Sequence, residues 1–447
     1  MSKTLTMTQG SPLRLLVRFS LPLMFGNVFQ QLYAVVDTAI VGRGVGIDAL
    51  AALGSVDWLN WMMLGIATGF TQGFSVRVAQ KFGENNQKDL QLFMGQSALA
   101  AIVLALLCLT LGQLALPVFF RLLRVPDTLY TMAALYTRII FGGVPVMFLY
   151  NYASAMLRAV GDSKTPLLAM TVASITNIAL DIVAVFVLRW GIAGAAAATV
   201  FAQVLSAIIC VAKICRTPQL RFSGENLRPR WDILKNLFNI GFPAAIKNWM
   251  IAIGGMMVMA VVNTFDTAFI AGFTASNKLY GLLEIAALSY GQAIITYVGQ
   301  NYGAMRFDRI RSGMKSATTL ALLTSLVIAA VMFLFGRPIT MLFISTPDPA
   351  EALMAGAVAY NYLCVMAACL PVLYMLYLLL SALQGLGDTI RPMISGFLEL
   401  AMRIFVAVTV AVTGYANGIF GAEVAAWIGA TVYLGFHYRK FLKRTRA

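Results

Sequence analysis

Twelve apolar stretches, each long enough to cross a bilayer, follow one another along this 447-residue chain. They fall at about 15–41, 56–79, 93–119, 129–152, 165–188 and 192–214, then at about 236–262, 274–300, 315–336, 353–383, 389–412 and 418–438. A spanning helix needs about 20 mainly apolar residues. Only 11% of the residues are charged and mean hydropathy is +0.80, whereas a soluble domain carries about 25% charged residues. Water could not solvate a globule this apolar. The sequence predicts an all-α, multi-pass membrane protein. The stretches beginning near 274 and 389 contain charges and mark their spans least clearly.

The distribution of basic residues supports the count. With both termini in the cytoplasm, 24 Lys and Arg fall on the cytoplasmic side and seven outside, while Lys247 and Arg403 lie within spans. This is the positive-inside asymmetry, and one span missed or invented would scramble it. A net charge of +15 therefore points to orientation in a cell membrane and contact with anionic lipid. Nucleic-acid binding is excluded, because no basic segment is long enough to fold alone. Lys3, Arg14 and Arg18 precede the first span and no small-residue cleavage site follows it, so the first span is expected to be retained. The expected organisation is a cytoplasmic N-terminus (1–14), a six-helix lobe (15–215), a basic cytoplasmic linker (216–235), a second six-helix lobe (236–438) and a basic tail (439–447).

Five cysteines lie in or beside apolar spans with no CxxC pair, and the single histidine, His437, is near the C-terminal end. The cysteines are expected to act as small buried hydrophobes. Zinc or haem ligation has almost no material here, and no cofactor is expected.

The two sets of six spans are copies. Pro22 matches Pro243, 221 residues on. Gln72-x5-Val78-Ala79-Gln80-Lys81-Phe82-Gly83 matches Gln292-x5-Val298-Gly299-Gln300-Asn301-Tyr302-Gly303 at an offset of 220. Pro145-Val146-x10-Leu157-x3-Gly161-Asp162-x3-Pro166 matches Pro371-Val372-x10-Leu383-x3-Gly387-Asp388-x3-Pro392 at 226. Six is even, so the second copy starts on the same side as the first. Parallel repeats of this kind commonly enclose a cavity and give alternating access by rocking. The same repetition explains Gly161-Asp162-Ser163-Lys164 as a loop between helices. It lacks the spacing and preceding strand of a nucleotide loop.

Acidic residues inside a bilayer are costly and are functional candidates by default. Gln30, Tyr33 and Asp37 lie on one face of span 1. Ser174, Asn177 and Asp181 repeat that spacing in span 5, and Thr199, Gln203 and Ser206 form a stripe in span 6. Such stripes satisfy one another by facing a common interior. Two adjacent carboxyls in a low dielectric do not both stay ionised, so one can hold a proton. Alternatively, the carboxylates, the Asn177 carbonyl and the Thr199 hydroxyl offer hard oxygen ligands to Na+. The plainer alternative is polar glue between helices.

The second half lacks this cluster. It holds Lys247, Glu284, Glu399, Arg403 and Glu423. Glu399 and Arg403, four apart, are expected to pair within their helix. Glu284 either faces a cationic ligand or pairs with Lys247 or Lys278. Pro22, Pro145, Pro243 and Pro371 can bend their helices. The 23 Met and 50 aromatic residues would suit soft packing around varied ligands.

Val36-Asp37-Thr38-Ala39-Ile40-Val41-Gly42, Leu157-Arg158-Ala159-Val160-Gly161-Asp162, Asn177-Ile178-Ala179-Leu180-Asp181 and Val298-Gly299-Gln300-Asn301-Tyr302-Gly303 together resemble the multidrug and toxin extrusion (MATE) family, over essentially the whole chain. The resemblance implies twelve transmembrane helices in two pseudo-symmetric six-helix bundles, V-shaped around a central cavity. It implies antiport, in which entry of H+ or Na+ drives export of organic, often cationic, compounds. The DinF-like branch binds its coupling ion in the N-terminal lobe, with ligands that fall on Asp37, Asn177, Asp181 and Thr199, and a further polar residue on Gln30. Asn151, Tyr33, Gln203 and Glu284 are further cavity candidates. The NorM-like branch uses acids in spans 7 and 10, where this chain has Lys247 and no acid within 353–383. Ile182 stands where a proline often follows the second Asp, which removes one means of bending that helix. A monomer is expected. The alternatives are a flippase for lipid-linked precursors, which would need a basic cavity, a channel, and a membrane-embedded enzyme, for which the chain supplies no His–Ser or metal set.

Overall fold

The computed structural model describes residues 6–123, 125–344 and 348–444. The start of the expected cytoplasmic N-terminus (with Lys3) and the end of the basic tail (with Arg446) lie outside the described residues. Among those described there are helices and no strand. The helices are α1 (Pro12–Gly44), α2 (Ile47–Gly83), α3 (Gln87–Leu122), α4 (Asp127–Gly142), α5 (Val144–Ala159), α6 (Lys164–Ile182) and α7 (Gly191–Arg216) in the first half. In the second half they are α8 (Trp231–Val262), α9 (Thr267–Leu283), α10 (Ile285–Gly303), α11 (Phe307–Met341), α12 (Pro349–Gly385), α13 (Ile390–Thr413) and α14 (Gly421–Arg444).

Each of the twelve apolar stretches becomes a helix or a broken helix. Nine described helical segments are long and apolar enough to cross a membrane, ten with the bent pair α4–α5. α1 and α2, with 33 and 37 residues, are long enough by rise alone. Their side chains agree with a lipid surround. Leu107, Leu111, Leu114 and Val118 form an exposed stripe along α3, with Leu114 72% exposed. In water such a stripe would be a liability.

Three spans are not simple helices. Span 4 bends by 45° between α4 and α5. Span 8 breaks at Glu284, between α9 and α10. α6 runs into a π turn, Val183–Val187, a widened turn that often marks function.

The duplication is visible in backbone detail. Gly161 and Gly387 have φ of 88° and 87°, a region glycine enters without steric cost. Asp162 and Asp388 follow, donating N–H to Leu157 O (2.9 Å) and Leu383 O (3.0 Å). Asn85 and Met305, 220 residues apart, share φ of 57° and 56°.

Two compact units result. One contains Leu21–Ala245, the other Met7–Ser20 and 246–444. α1 and α8 therefore each begin in one unit and end in the other. The crossings fall beside Pro22 and Pro243.

Within the first unit, α2 carries Gly65, Gly69 and Gly73 at four-residue spacing, which lets helix backbones approach closely. A Cβ on Gly69 would lie 2.5 Å from Ala245 Cα, and one on Gly73 would lie 2.6 Å from Gly241 Cα. Backbone cannot step aside as a flexible side chain can. Gly73→Val is expected to destabilise this unit by about 1–3 kcal/mol through overpacking. Gly54→Ala on the same helix, where nothing lies within 4 Å, is expected to leave thermal unfolding in detergent unchanged.

Candidate functional site

The polar stripes of α1, α6 and α7 lie at one end of the first unit. Asp37 is seven residues from the end of α1, Asp181 six from the end of the π turn, and Thr199 eight from the start of α7. At 1.5 Å per residue each lies about 9–12 Å inside its helix end. The ends of α1 and the π turn are in close contact. A Cβ on Gly44 would meet Val185 Cγ1 at 2.3 Å and the Phe186 ring at 2.9 Å, so a larger residue would require those side chains to shift.

That contact sets Asp37 and Asp181 side by side, with carboxyls within hydrogen-bonding reach of each other. Asp181 is 0% exposed and Asn177 1%. Asn177 Nδ2 donates to Thr199 Oγ1 at 3.4 Å, which leaves its carbonyl oxygen for another partner. Asp37 Oδ1, both Asp181 carboxylate oxygens and Asn177 Oδ1 are buried without a hydrogen-bond donor. Buried polar atoms are nearly always satisfied in folded proteins. Four such oxygens in one place form a cluster of acceptors. Two carboxyls and neutral oxygens suit a single charge, supplied by a proton between the carboxyls or a small monovalent cation.

Tyr33 lies close enough to both carboxyls to feel their charge. So does Tyr136 of α4, which also neighbours Tyr33 and Asp57 of α2. Tyr136 escapes the stripe argument because it is a single polar group on its helix face, and Asp57 because it shares its face with Asn60 alone, at i+3. Gln30 continues the α1 stripe and is half-buried, as is Gln203. Asn151 Nδ2 donates to Met147 O of its own helix at 2.9 Å.

The second unit holds a different arrangement. Arg403 of α13 grips Glu423 of α14 through two bonds, Nε–Oε1 at 3.0 Å and Nη2–Oε2 at 2.8 Å. Its contact with Glu399, the partner expected from spacing, is longer at 3.6 Å. Lys247 has Glu399 as its charged neighbour. Glu284 pairs with neither Lys247 nor Lys278. Its carboxylate accepts from Tyr377 Oη at 3.2 Å and interacts with the Tyr280 hydroxyl. Four of the five charged groups are thus balanced pairwise, as buried charges require. Glu284 alone is held by neutral donors.

Comparison with known proteins agrees with this architecture. The MatE family profile matches residues 22–183 and again 243–409, two copies that begin at the prolines found as repeats. The probable multidrug resistance protein YpnP of Bacillus subtilis is 29% identical over 77% of this chain and 78% of its own. The FAD transporter of Shewanella oneidensis is 25% identical over 92% of this chain and 90% of its own. Among solved structures, a MOP superfamily transporter from Pyrococcus furiosus superposes with a TM-score of 0.93 at 21% identity, covering 100% of this chain and 99% of that one. The chain belongs to the MatE family of membrane transporters.

Proposed function

We propose that this transporter is a secondary antiporter of the cell membrane, with both termini cytoplasmic, that exports small organic, chiefly cationic compounds in exchange for H+ or Na+. Asp37, Asp181, Asn177 and Thr199 hold the coupling ion in the first unit, in the manner of the DinF-like branch. The four donorless buried oxygens carry this reading. Filling them with a proton or Na+ removes the cost of buried, unpaired charge, and emptying them restores it. An ion that enters down its gradient thus changes the energy of the helices that surround it, and substrate release is tied to that change. Tyr33 and Tyr136 flank the pair and supply hydroxyls beside it. We take Gln30, Gln203 and Glu284 as substrate-side candidates.

Proteoliposomes loaded with a fluorescent organic cation provide the test. Efflux is expected to accelerate when either an inward proton or an inward Na+ gradient is imposed, and the gradient that works names the ion. Equal efflux with and without either gradient contradicts antiport.

A second reading concerns substrate charge. In the second unit, exposed Lys278 of α9 and Glu351 of α12 line a cavity of about 300 Å³ with Phe343 and Ile344. This is at the small end of ligand pockets. A lysine there, and a relative named for FAD, favour an anionic or zwitterionic group on some substrates. Competition of flavin nucleotides against the organic cation distinguishes the two.

A further inference from the structure

The repeated run Val298–Gly303 has no part in the ion site, yet it contains two amides that are 0% exposed, Gln300 and Asn301. Both are occupied with the seventh residue of the chain. Met7 N–H donates to Gln300 Oε1 at 2.8 Å. Met7 O accepts from Asn301 Nδ2 at 3.1 Å and from Arg309 Nη2 at 3.1 Å. Arg309 also donates to Gly10 O at 3.0 Å and, through Nε, to Asn301 Oδ1 at 3.1 Å. The Met7 side chain is itself 0% exposed. Buried amides and a guanidinium, costly to desolvate, are committed to holding this segment ahead of α1.

The other half does the same with different residues. Gln96 of α3 donates to Asn226 O (2.6 Å) and Arg228 O (2.8 Å) and accepts from Arg230 N–H (2.9 Å). These backbone groups immediately precede α8. Arg228 is the counterpart of Met7 at the 221-residue offset. Non-equivalent side chains thus grip the same point of each repeat, which marks the grip itself as the feature kept.

The consequence follows from the path of α1. Its first residues belong to the second unit, and past Ser20 it belongs to the first. It then reaches Asp37, about 45 Å of helix and leader from Met7 at helical rise. We propose that Gln300, Asn301 and Arg309 are positioning residues that fix the root of α1 in the second unit. Through this root, a change of ion occupancy at Asp37 and Asp181 is passed to that unit. The proposal rests on the coupling role proposed above.

The test uses Arg309→Ala, Asn301→Ala and the double variant in proteoliposomes, with the rate normalised to folded transporter. Ion binding is followed by the change in intrinsic fluorescence on proton and Na+ titration. Maximal gradient-driven efflux of a fluorescent organic cation is expected to fall about tenfold in the double variant, with KM and the ion midpoint within about twofold of the parent. Arg309→Lys, which keeps the charge and a single donor nitrogen, is expected to restore part of the rate. Efflux per folded transporter within about twofold of the parent in all variants overturns the proposal. So does an ion midpoint that moves in step with the rate, since the residues would then act on the ion site itself. Asp37→Asn, run beside them, isolates the other premise. If it retains gradient-driven efflux, the coupling site is wrong, while the clamp is still judged by its own rates.

Discussion

Asp37→Asn and Asp181→Asn are each expected to reduce gradient-driven export by about a hundredfold or more, while the protein inserts and folds as before. Asparagine nearly matches aspartate in shape, so packing of α1 against the π turn after α6 is kept. What is lost is the second carboxyl of a pair whose members lie within reach of one another. A lone carboxyl beside an amide has no anionic partner to make a shared proton favourable, so the site no longer takes up a proton as the pair does. Na+ likewise loses a formal charge from its ligand set. Glu399→Gln is expected to cost less, because Arg403 retains its two bonds to Glu423. Resistance assays in cells without other pumps, with membrane abundance measured in parallel, check all three. Equal loss in all three would mean general packing damage instead.

Arg403→Met is expected to destabilise the second unit by about 3–5 kcal/mol, the usual result of removing one partner from buried charges. Glu423 and Glu399 would then face each other's charge with only Lys247 to offset both. Arg403 is also packed tightly, since a Cβ on Gly254 would lie 2.9 Å from its Cδ. Adding Glu423→Gln to Arg403→Met removes the orphaned charge and leaves Glu399 beside Lys247. The double variant is expected to unfold in detergent at a temperature close to that of the parent. A single variant as stable as the parent would show that Arg403 contributes nothing net.

Hydropathy located the helices, nine or ten of them apolar enough to span, because lipid imposes one requirement on all of them. It placed span edges less well, since it sees only the lipid-immersed part. α2 starts at Ile47 and ends at Gly83, where the apolar stretch covers 56–79. The break in span 4 falls just before Pro145, one of the prolines expected to bend helices, whereas the π turn carries no hydropathy signature and packs against α1 at Gly44. Stripe spacing brought Asp37, Asn177, Asp181 and Thr199 to one place, because three polar faces in lipid have only each other to meet. It did not reveal Tyr136, which is alone on its face, or Asp57, which has only Asn60 beside it at i+3. Within the second half, spacing favoured Glu399 as the partner of Arg403. The geometry favours Glu423, because a residue on a facing helix can meet the guanidinium fork squarely.

The ion site is tested most directly by displacement. Purified transporter in weakly buffered detergent solution is mixed with an organic cation, and release of protons (by indicator dye) or of radioactive Na+ is measured. The parent is expected to release about one ion per molecule on substrate addition, and the Asp37→Asn/Asp181→Asn variant none, while it still binds the compound. Equal release from that variant would contradict the assignment of the coupling ion to this pair.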